Sequence, residues 1–228
     1  MNQNLNFMSY TVRITDILSL THDVKMLKTE KPKGYNFKPG QATEVAINKE
    51  DWKDEKRPFT YTSLPEDDYL EFVIKFYRDH DGVTKQIEDL VEGDELIIDD
   101  SWGAIQYKGK GVFIAGGAGI TPFISIFRDL KSKGDLEGNK LIFANKTGKD
   151  VIMESYFHEI LGEDFISILD QEKVEGHANG RVNMNFLKDN LDDFSQEFYV
   201  CGPQPMVEAV SEILKQLGAN PDGITFEE

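Results

Sequence analysis

The chain has 228 residues, enough for one large domain or two smaller ones with buried cores. Its 41 acidic and 25 basic residues give a formal net charge of −16, which argues against binding to nucleic acid or to an anionic membrane surface. A single cysteine, Cys201, excludes a disulfide framework, an iron–sulfur cluster and a cysteine zinc site within the chain. With no signal-peptide pattern and no apolar run long enough to span a membrane, we predict a soluble, cytoplasmic protein without a metal site.

The first half of the chain contains short strand-like runs separated by turn residues. These runs are YTVRITDILSL, HDVKMLKTE, NFKPGQATEVAI, YLEFVIKFY and DELIIDDSWG, with one short helical piece at TKQIEDL. Several antiparallel strands at this spacing predict a small β-barrel.

The second half alternates buried strands with helices. KGVFIAG, KLIFANK, DFISILD and QEFYVCG are apolar runs, and helical patterns follow them, the first with Pro122 in its first turn and Gly134 after its last. ITFEE is predicted to be a last strand. This alternation predicts an α/β domain with an open parallel sheet, and we place the domain boundary between residues 108 and 109.

A glycine-rich turn, FIAGGAGITPF at 113–123, joins a buried strand to a helix. Without side chains, its backbone N–H groups can approach a pyrophosphate, and the helix N-terminus adds partial positive charge. Pro122 stands where the dinucleotide fingerprint GxGxxG has its third glycine, so a tight turn that needs positive φ explains these glycines equally well.

Cys201 begins a second turn, CGPQPM, that also follows an apolar strand. Ligands of open parallel sheets bind at the carboxyl ends of the strands, so both turns are predicted to face one crevice. The alternative for Cys201 is a small buried packing residue. No histidine lies near it in sequence, so a Cys–His nucleophile is not favoured.

Three segments together resemble the ferredoxin–NADP reductase family of flavoenzymes: RPFTYTS at 57–63, GGAGITP at 116–122 and CGPQPM at 201–206. FVIKFY at 72–77 and GVTKQI at 82–87 also match, so the resemblance covers nearly the whole chain. It implies an FAD-binding barrel over 1–108 and an NAD(P)-binding α/β domain over 109–228. The implied activity is a flavin-dependent NAD(P)H oxidoreductase that passes hydride to FAD and then single electrons to a separate carrier.

The resemblance assigns the first motif to the flavin. Arg57 would pair with the pyrophosphate, Phe59 would stack on the isoalloxazine in place of the usual Tyr, and Thr60 would bond N5, the hydride-accepting atom. Ser63 closes the motif. Residues implied to line the adenosine half are Val73, Lys75 and Tyr77, and those implied to face the pyrophosphate are Gly82, Val83 and Thr84. His80 is predicted to be a solvated loop residue.

In the second domain the resemblance assigns the nicotinamide side to the two glycine turns. The residues concerned are Gly117, Gly119, Thr121 and Pro122 in the first turn, and Cys201, Gly202 and Pro203 in the second. Cys201 would orient the nicotinamide ring for transfer and would not attack it. Asn145 is implied to lie beside the adenine ribose, and Phe226 over the flavin, followed by Glu227 and Glu228, for which a frayed end is equally compatible.

Asp170 stands where NADP-using members carry a Ser-Arg pair, so NADH is favoured over NADPH, although the basic residues Lys146, Lys149 and Arg181 are predicted to lie nearby in the fold and leave NADPH open. The acceptor is predicted to be flavodoxin or ferredoxin, since a single cysteine rules out a ferredoxin domain within this chain. Two alternatives stay open: a catalytically silent flavin- and nucleotide-binding regulatory module, and an FMN-dependent reductase serving an oxygenase or a cytochrome.

Overall fold

A computed structural model describes residues 8–78, 82–103 and 105–226, with Phe226 by its backbone only. The chain divides after Gly103 into two units, and the boundary predicted from the sequence lies at residue 108, before the first strand of the second unit. His80, Glu227 and Glu228 lie outside the described residues.

The first unit is an antiparallel sheet of six strands in the order β4-β3-β6-β1-β2-β5. The strands are β1 (Tyr10–Thr21), β2 (Val24–Glu30), β3 (Ala42–Ile47), β4 (Arg57–Thr60), β5 (Tyr69–Lys75) and β6 (Glu95–Ile98), and the one α-helix described here is α1 (Val83–Gln86). β4 and β5 are the two edges of the sheet. Tyr61, directly after β4, forms a bridge with Phe72 of β5, so the edges meet and the sheet closes as the predicted barrel.

Alternation along β5 shows how the sequence pattern builds the barrel core. Phe72, Ile74 and Phe76 belong to the buried cluster inside the barrel, while Val73 and Lys75 between them do not. Successive side chains of a strand point to opposite faces, so the second set is turned to the outside of the barrel. This outer face carries residues of the candidate site.

The second unit is a parallel sheet of six strands in the order β10-β9-β8-β7-β11-β12. The strands are β7 (Gly111–Gly116), β8 (Lys140–Asn145), β9 (Phe165–Leu169), β10 (Ala178–Asn179), β11 (Glu197–Cys201) and β12 (Ile224–Phe226), and the helices are α2 (Thr121–Lys133), α3 (Glu154–Leu161), α4 (Met184–Asn190) and α5 (Gln204–Gln216). The predicted α/β alternation is confirmed, with β10 as an additional short strand. The chain runs outward from β7 to β10 and then returns to place β11 on the other side of β7.

Helix α2 begins and ends at the residues that the sequence indicates. Pro122 lies in its first turn, where the missing N–H is tolerated, and Gly134 follows its last residue in the left-handed region at φ 73°. One face of α2 packs aromatic rings on the sheet, for example Phe127 against Phe113 at a centroid distance of 4.7 Å. Across the described residues, every helix is too short or too polar to span a lipid bilayer.

Candidate functional site

Strand β4 presents a cation and an aromatic ring from the barrel unit. The guanidinium of Arg57 is about half exposed, donates a 2.6 Å hydrogen bond from Nη1 to the carbonyl of Lys56, and lies 3.6 Å from a carboxylate oxygen of Glu55. Within the part of the chain that the structure describes, its other N–H groups make no hydrogen bond, so the planar fork can still bind an anion. Phe59 is half-buried and rests against the barrel core.

The hydroxyl-bearing residues at the end of β4 and directly after it are buried. Thr60 is buried, and Thr62 and Ser63 are fully buried. The Ser63 hydroxyl accepts a 3.0 Å hydrogen bond from the backbone N–H of Glu71. Tyr61 stacks on Phe37, and burial raises the pKa of the Tyr61 hydroxyl far above its ordinary value, so this group stays protonated. Tyr61 and Thr62 therefore hold the barrel together behind the surface that carries Arg57 and Phe59.

The outward-facing side chains become more exposed along β5 and just beyond its end. Val73 is 4% exposed, and Tyr77, two residues beyond the strand, is 45% exposed. Between them, the Lys75 ammonium lies 2.7 Å from Asp23, which follows β1. Burial alone would raise the pKa of Asp23, but hydrogen bonds from Lys75 and Thr21 and the charge of Lys75 hold it below its ordinary value.

Gly82 lies immediately before α1. Gly82 is in the extended conformation at φ −155°, and Val83 is the first residue of the helix. Val83 is buried in the barrel core, while Gly82 and Thr84 are half-buried. The core contact of Val83 fixes this end of α1 to the barrel.

In the parallel-sheet unit, the turns after β7 and β11 contact each other through backbone atoms. A Cβ on Gly119 would lie 2.4 Å from the carbonyl oxygen of Cys201, and one on Gly202 would lie 3.0 Å from the backbone nitrogen of Gly116. Gly202 and Gly117 both have positive φ, at 157° and 52°, and a Cβ on Gly117 would meet no atom within 4 Å among the described residues. These turns can approach closely only as glycines.

The contact lies at a defined point of the sheet topology. β7 and β11 are neighbours, and the strand order reverses between them, so their carboxyl ends form the crevice in which open parallel sheets bind ligands. Thr121 and Pro122 open α2 beside it, and Cys201 is buried at the end of β11. Pro203 directly precedes α5. The predicted convergence of the two turns is therefore observed within this unit.

Two buried polar atoms lie at the carboxyl ends of the neighbouring strands β8 and β9. Within the described residues, neither Nδ2 of Asn145 nor Oδ1 of Asp170 has a hydrogen-bond partner. The two residues are joined through backbone, since the Asp170 N–H donates to the Asn145 carbonyl at 3.1 Å. Buried polar groups are nearly always paired, so an unpaired donor beside an unpaired acceptor fits a ligand that offers both, such as a ribose diol.

Two further residues belong to this region and were not singled out as site residues from the sequence. The exposed Arg181 donates from Nε to Oδ2 of Asp170 at 3.2 Å, and Glu172 accepts from the backbone N–H of Gly148 at 2.9 Å, joining the loops after β8 and β9. In the sequence, Arg181 was named only as a basic residue near Asp170, and the one signal for Glu172 was its position after β9. Phe226 pairs by its backbone with Val200, and its side chain lies outside the described part.

Comparison with known proteins agrees with both units. The family model "FAD-binding domain" matches residues 9–119, and the model "Oxidoreductase NAD-binding domain" matches residues 113–212. The chain belongs to the ferredoxin–NADP reductase family. Its two units carry the antiparallel barrel and the parallel sheet of that family's fold.

Similar proteins in this family include reductases of several systems. The chain is 29% identical to the propane 2-monooxygenase reductase component of Rhodococcus jostii over 94% of this chain and 62% of the relative. It is 29% identical to NADH-cytochrome b5 reductase 2 of Mycosarcoma maydis over 90% of this chain and 64% of the relative. The chain thus spans less than two thirds of these relatives. A ferredoxin NADP+ reductase from Neisseria gonorrhoeae, solved with FAD and NADP, shares the fold at a TM-score of 0.83, with 19% identity and coverage of 96% and 98%.

Proposed function

We propose that the protein is an FAD-dependent NAD(P)H oxidoreductase that delivers single electrons to a separate acceptor. The observation that carries this proposal is the backbone contact between the glycine turn after β7 and the Cys201–Gly202 turn after β11. This contact lies where the strand order of the parallel sheet reverses. The unit that contains it matches the family model of an oxidoreductase NAD-binding domain. When bound, FAD supplies the chemistry that accepts a hydride and releases electrons one at a time. In this proposal residues 1–108 bind the FAD and residues 109–228 bind the nicotinamide nucleotide.

The residues of the barrel fit a flavin dinucleotide. Arg57 offers a permanently charged fork to the pyrophosphate, Phe59 offers a ring face, and the Thr60 hydroxyl is proposed to hold N5. The outer face of β5 and the segment at Gly82–Thr84 are proposed to contact the adenosine half and the pyrophosphate. Ser63 is proposed to act indirectly, by stabilising the barrel wall, because its hydroxyl accepts a hydrogen bond from the backbone N–H of Glu71.

NADH is the proposed reductant. Asp170, at the end of β9, carries a buried oxygen that has no partner among the described residues; it is proposed to accept a hydrogen bond from the adenine ribose, and Asn145 to donate one. A carboxylate at this place repels a 2′-phosphate, although Arg181 beside it reduces that repulsion. Cys201, with Gly202 and Pro203, is proposed to orient the nicotinamide.

The acceptor is proposed to be an oxygenase component or a cytochrome, as the names of the relatives favour. Flavodoxin or ferredoxin stays a second prediction. A net charge of −16 favours an acceptor with a basic face, since electrostatic complementarity speeds association.

The test uses the purified full chain. We expect a yellow protein, or one that turns yellow on reconstitution, whose heat-released flavin migrates as FAD in chromatography. Anaerobic stopped-flow mixing should then show faster flavin bleaching with NADH than with NADPH at equal concentration. A protein that binds no flavin would contradict the proposal and favour the silent module, and release of FMN would favour the FMN-dependent alternative. Mixing the reduced protein with cytochrome, oxygenase component, ferredoxin and flavodoxin ranks the acceptors.

A further inference from the structure

A partly buried ion pair lies directly beside Arg57. The ammonium of Lys56 donates to both carboxylate oxygens of Asp99, at 2.8 and 2.7 Å. Asp99 follows β6 and Lys56 precedes β4, and β3 lies between these two strands in the sheet. The ion pair therefore reaches across β3 and fastens the beginning of an edge strand to the interior of the sheet.

Asp99 is itself held on several sides. Its carboxylate accepts a 2.6 Å hydrogen bond from the Ser9 hydroxyl, and its carbonyl accepts hydrogen bonds from the hydroxyls of Thr43 and Tyr35. Its backbone N–H donates to the same Thr43 hydroxyl at 3.1 Å. With its side chain 12% exposed and held by these hydrogen bonds, Asp99 is a fixed anchor for the Lys56 ammonium.

Lys56 connects this anchor to the arginine. While its ammonium binds Asp99, its backbone carbonyl accepts the 2.6 Å hydrogen bond from Nη1 of Arg57. Glu55, on the other side of Lys56, lies 3.6 Å from Nη2 of the same guanidinium. The place of the Lys56 backbone thus decides how the guanidinium is oriented and how closely a competing carboxylate approaches it.

We infer that Lys56 and Asp99 are positioning residues for Arg57 and that they strengthen binding of the FAD pyrophosphate without contacting it. This inference rests on the proposed flavin binding. Orientation of a bidentate donor before binding raises affinity, because less ordering remains when the ligand arrives.

The test measures the dissociation constant of FAD for the apoprotein by flavin fluorescence quenching. Lys56→Met should weaken FAD binding about fivefold, and Lys56→Arg, which can still bridge to Asp99, should restore most of it. Lys49→Met is the matched control. Lys49 also pairs with an aspartate next to β6, Asp94 at 3.1 Å, but this pair lies beyond the C-terminal end of β3, whereas Lys56 and Asp99 pair across its middle. It should leave FAD binding unchanged.

A double-mutant cycle separates positioning from a general loss of structure. In the Arg57→Ala background, Lys56→Met should cause no further loss of FAD affinity. A further fivefold loss there, or equal values for Lys56→Met and Lys49→Met, would overturn the inference. If Lys56→Met does not fold, the neutral pair Lys56→Gln with Asp99→Asn leaves no buried charge unpaired and carries the same cycle. Wild-type protein that binds no FAD would instead overturn the proposed function.

Discussion

In the barrel, three charged or polar side chains of the candidate site already contact other groups, whereas in the parallel-sheet unit two buried polar atoms at strand ends have no partner among the described residues. Arg57 bonds to Lys56, Lys75 to Asp23 and Ser63 to Glu71. Asn145 and Asp170 each leave a buried atom unpaired. The difference matters because satisfied side chains stay in place before a ligand arrives, and unpaired buried atoms gain their hydrogen bonds only when it does.

This contrast suits a cofactor that stays bound in one unit and a nucleotide that enters and leaves the other. The second unit forms its crevice mainly from glycine backbone, at Gly119 and Gly202. The barrel forms its surface from ion pairs and rings. Substitutions should therefore act mainly through steric contact in the parallel-sheet unit and mainly through the loss of charge in the barrel.

The largest expected effect is steric and falls in the parallel-sheet unit. Gly119→Ala places a Cβ 2.4 Å from the Cys201 carbonyl oxygen and 2.5 Å from the Gly202 nitrogen. Because both are backbone atoms, the two turns must move apart, and we expect a loss of about 3 kcal/mol in the free energy of unfolding. Urea denaturation measures it. Gly109→Ala is the control and should change stability little, because among the described residues its Cβ would meet only the Glu197 side chain, at 4.0 Å.

The second effect is electrostatic and falls in the barrel. Arg57→Ala should weaken FAD binding by about 2 kcal/mol, roughly thirtyfold, because a charge-assisted contact to the pyrophosphate is lost. The loss of affinity is measured by fluorescence titration of the apoprotein and by the amount of flavin that stays bound after gel filtration. The control is Arg13→Ala, an exposed arginine of β1 that pairs with Glu95 at 3.7 Å. Equal flavin retention in the two variants would remove Arg57 from the flavin site.

The third prediction concerns the unpaired oxygen of Asp170. Asp170→Ala should raise the KM for NADH about tenfold and lower the NADH-to-NADPH ratio of kcat/KM, since a hydrogen bond to the ribose is lost together with the repulsion of a 2′-phosphate. Steady-state kinetics with both nucleotides measure it. Asp164→Asn, at the opposite end of β9 and paired with Lys140 at 3.4 Å, should change neither value. An unchanged nucleotide preference in Asp170→Ala would contradict this role.

The smallest expected effect is the pH-dependent contribution of Lys75. Because the folded pKa of Asp23 is lowered, its ion pair stabilises the fold above the ordinary carboxyl pKa of about 4 and is lost as the pH falls through the folded value. Lys75→Met should therefore cost about 0.5–1 kcal/mol at neutral pH and progressively less in acid. Thermal unfolding from pH 7 to pH 3 follows this. Lys133→Met, with the same 2.7 Å separation from Asp129 but at the exposed C-terminal end of α2, should cost less.

Residue type and local periodicity were enough to predict several features. YLEFVIKFY is predicted to be a strand and forms β5, and Pro122 and Gly134 mark both ends of α2, as observed. The family followed from three motifs in order, because each combines residue types that a packed core alone does not require. These signals depend on neighbouring residues in the sequence, so they can be recognised without knowledge of the tertiary contacts.

The partners of the site residues could not be read from the sequence. The stretch that carries Arg57 divides between an exposed cation, a half-buried ring and buried hydroxyls, and only the closing of the barrel at Tyr61 and Phe72 decides which is which. Lys56 and Asp99 are 43 positions apart in the sequence. Gly119, after β7, contacts Cys201 of β11, and these two strands are also far apart in the sequence. The sequence by itself determined the fold class, the family and the residue types of both sites, since these depend on local pattern. The tertiary structure alone decided the ion pairs, the glycine contacts and the unpaired strand-end atoms, because each depends on which distant segments the sheets bring together.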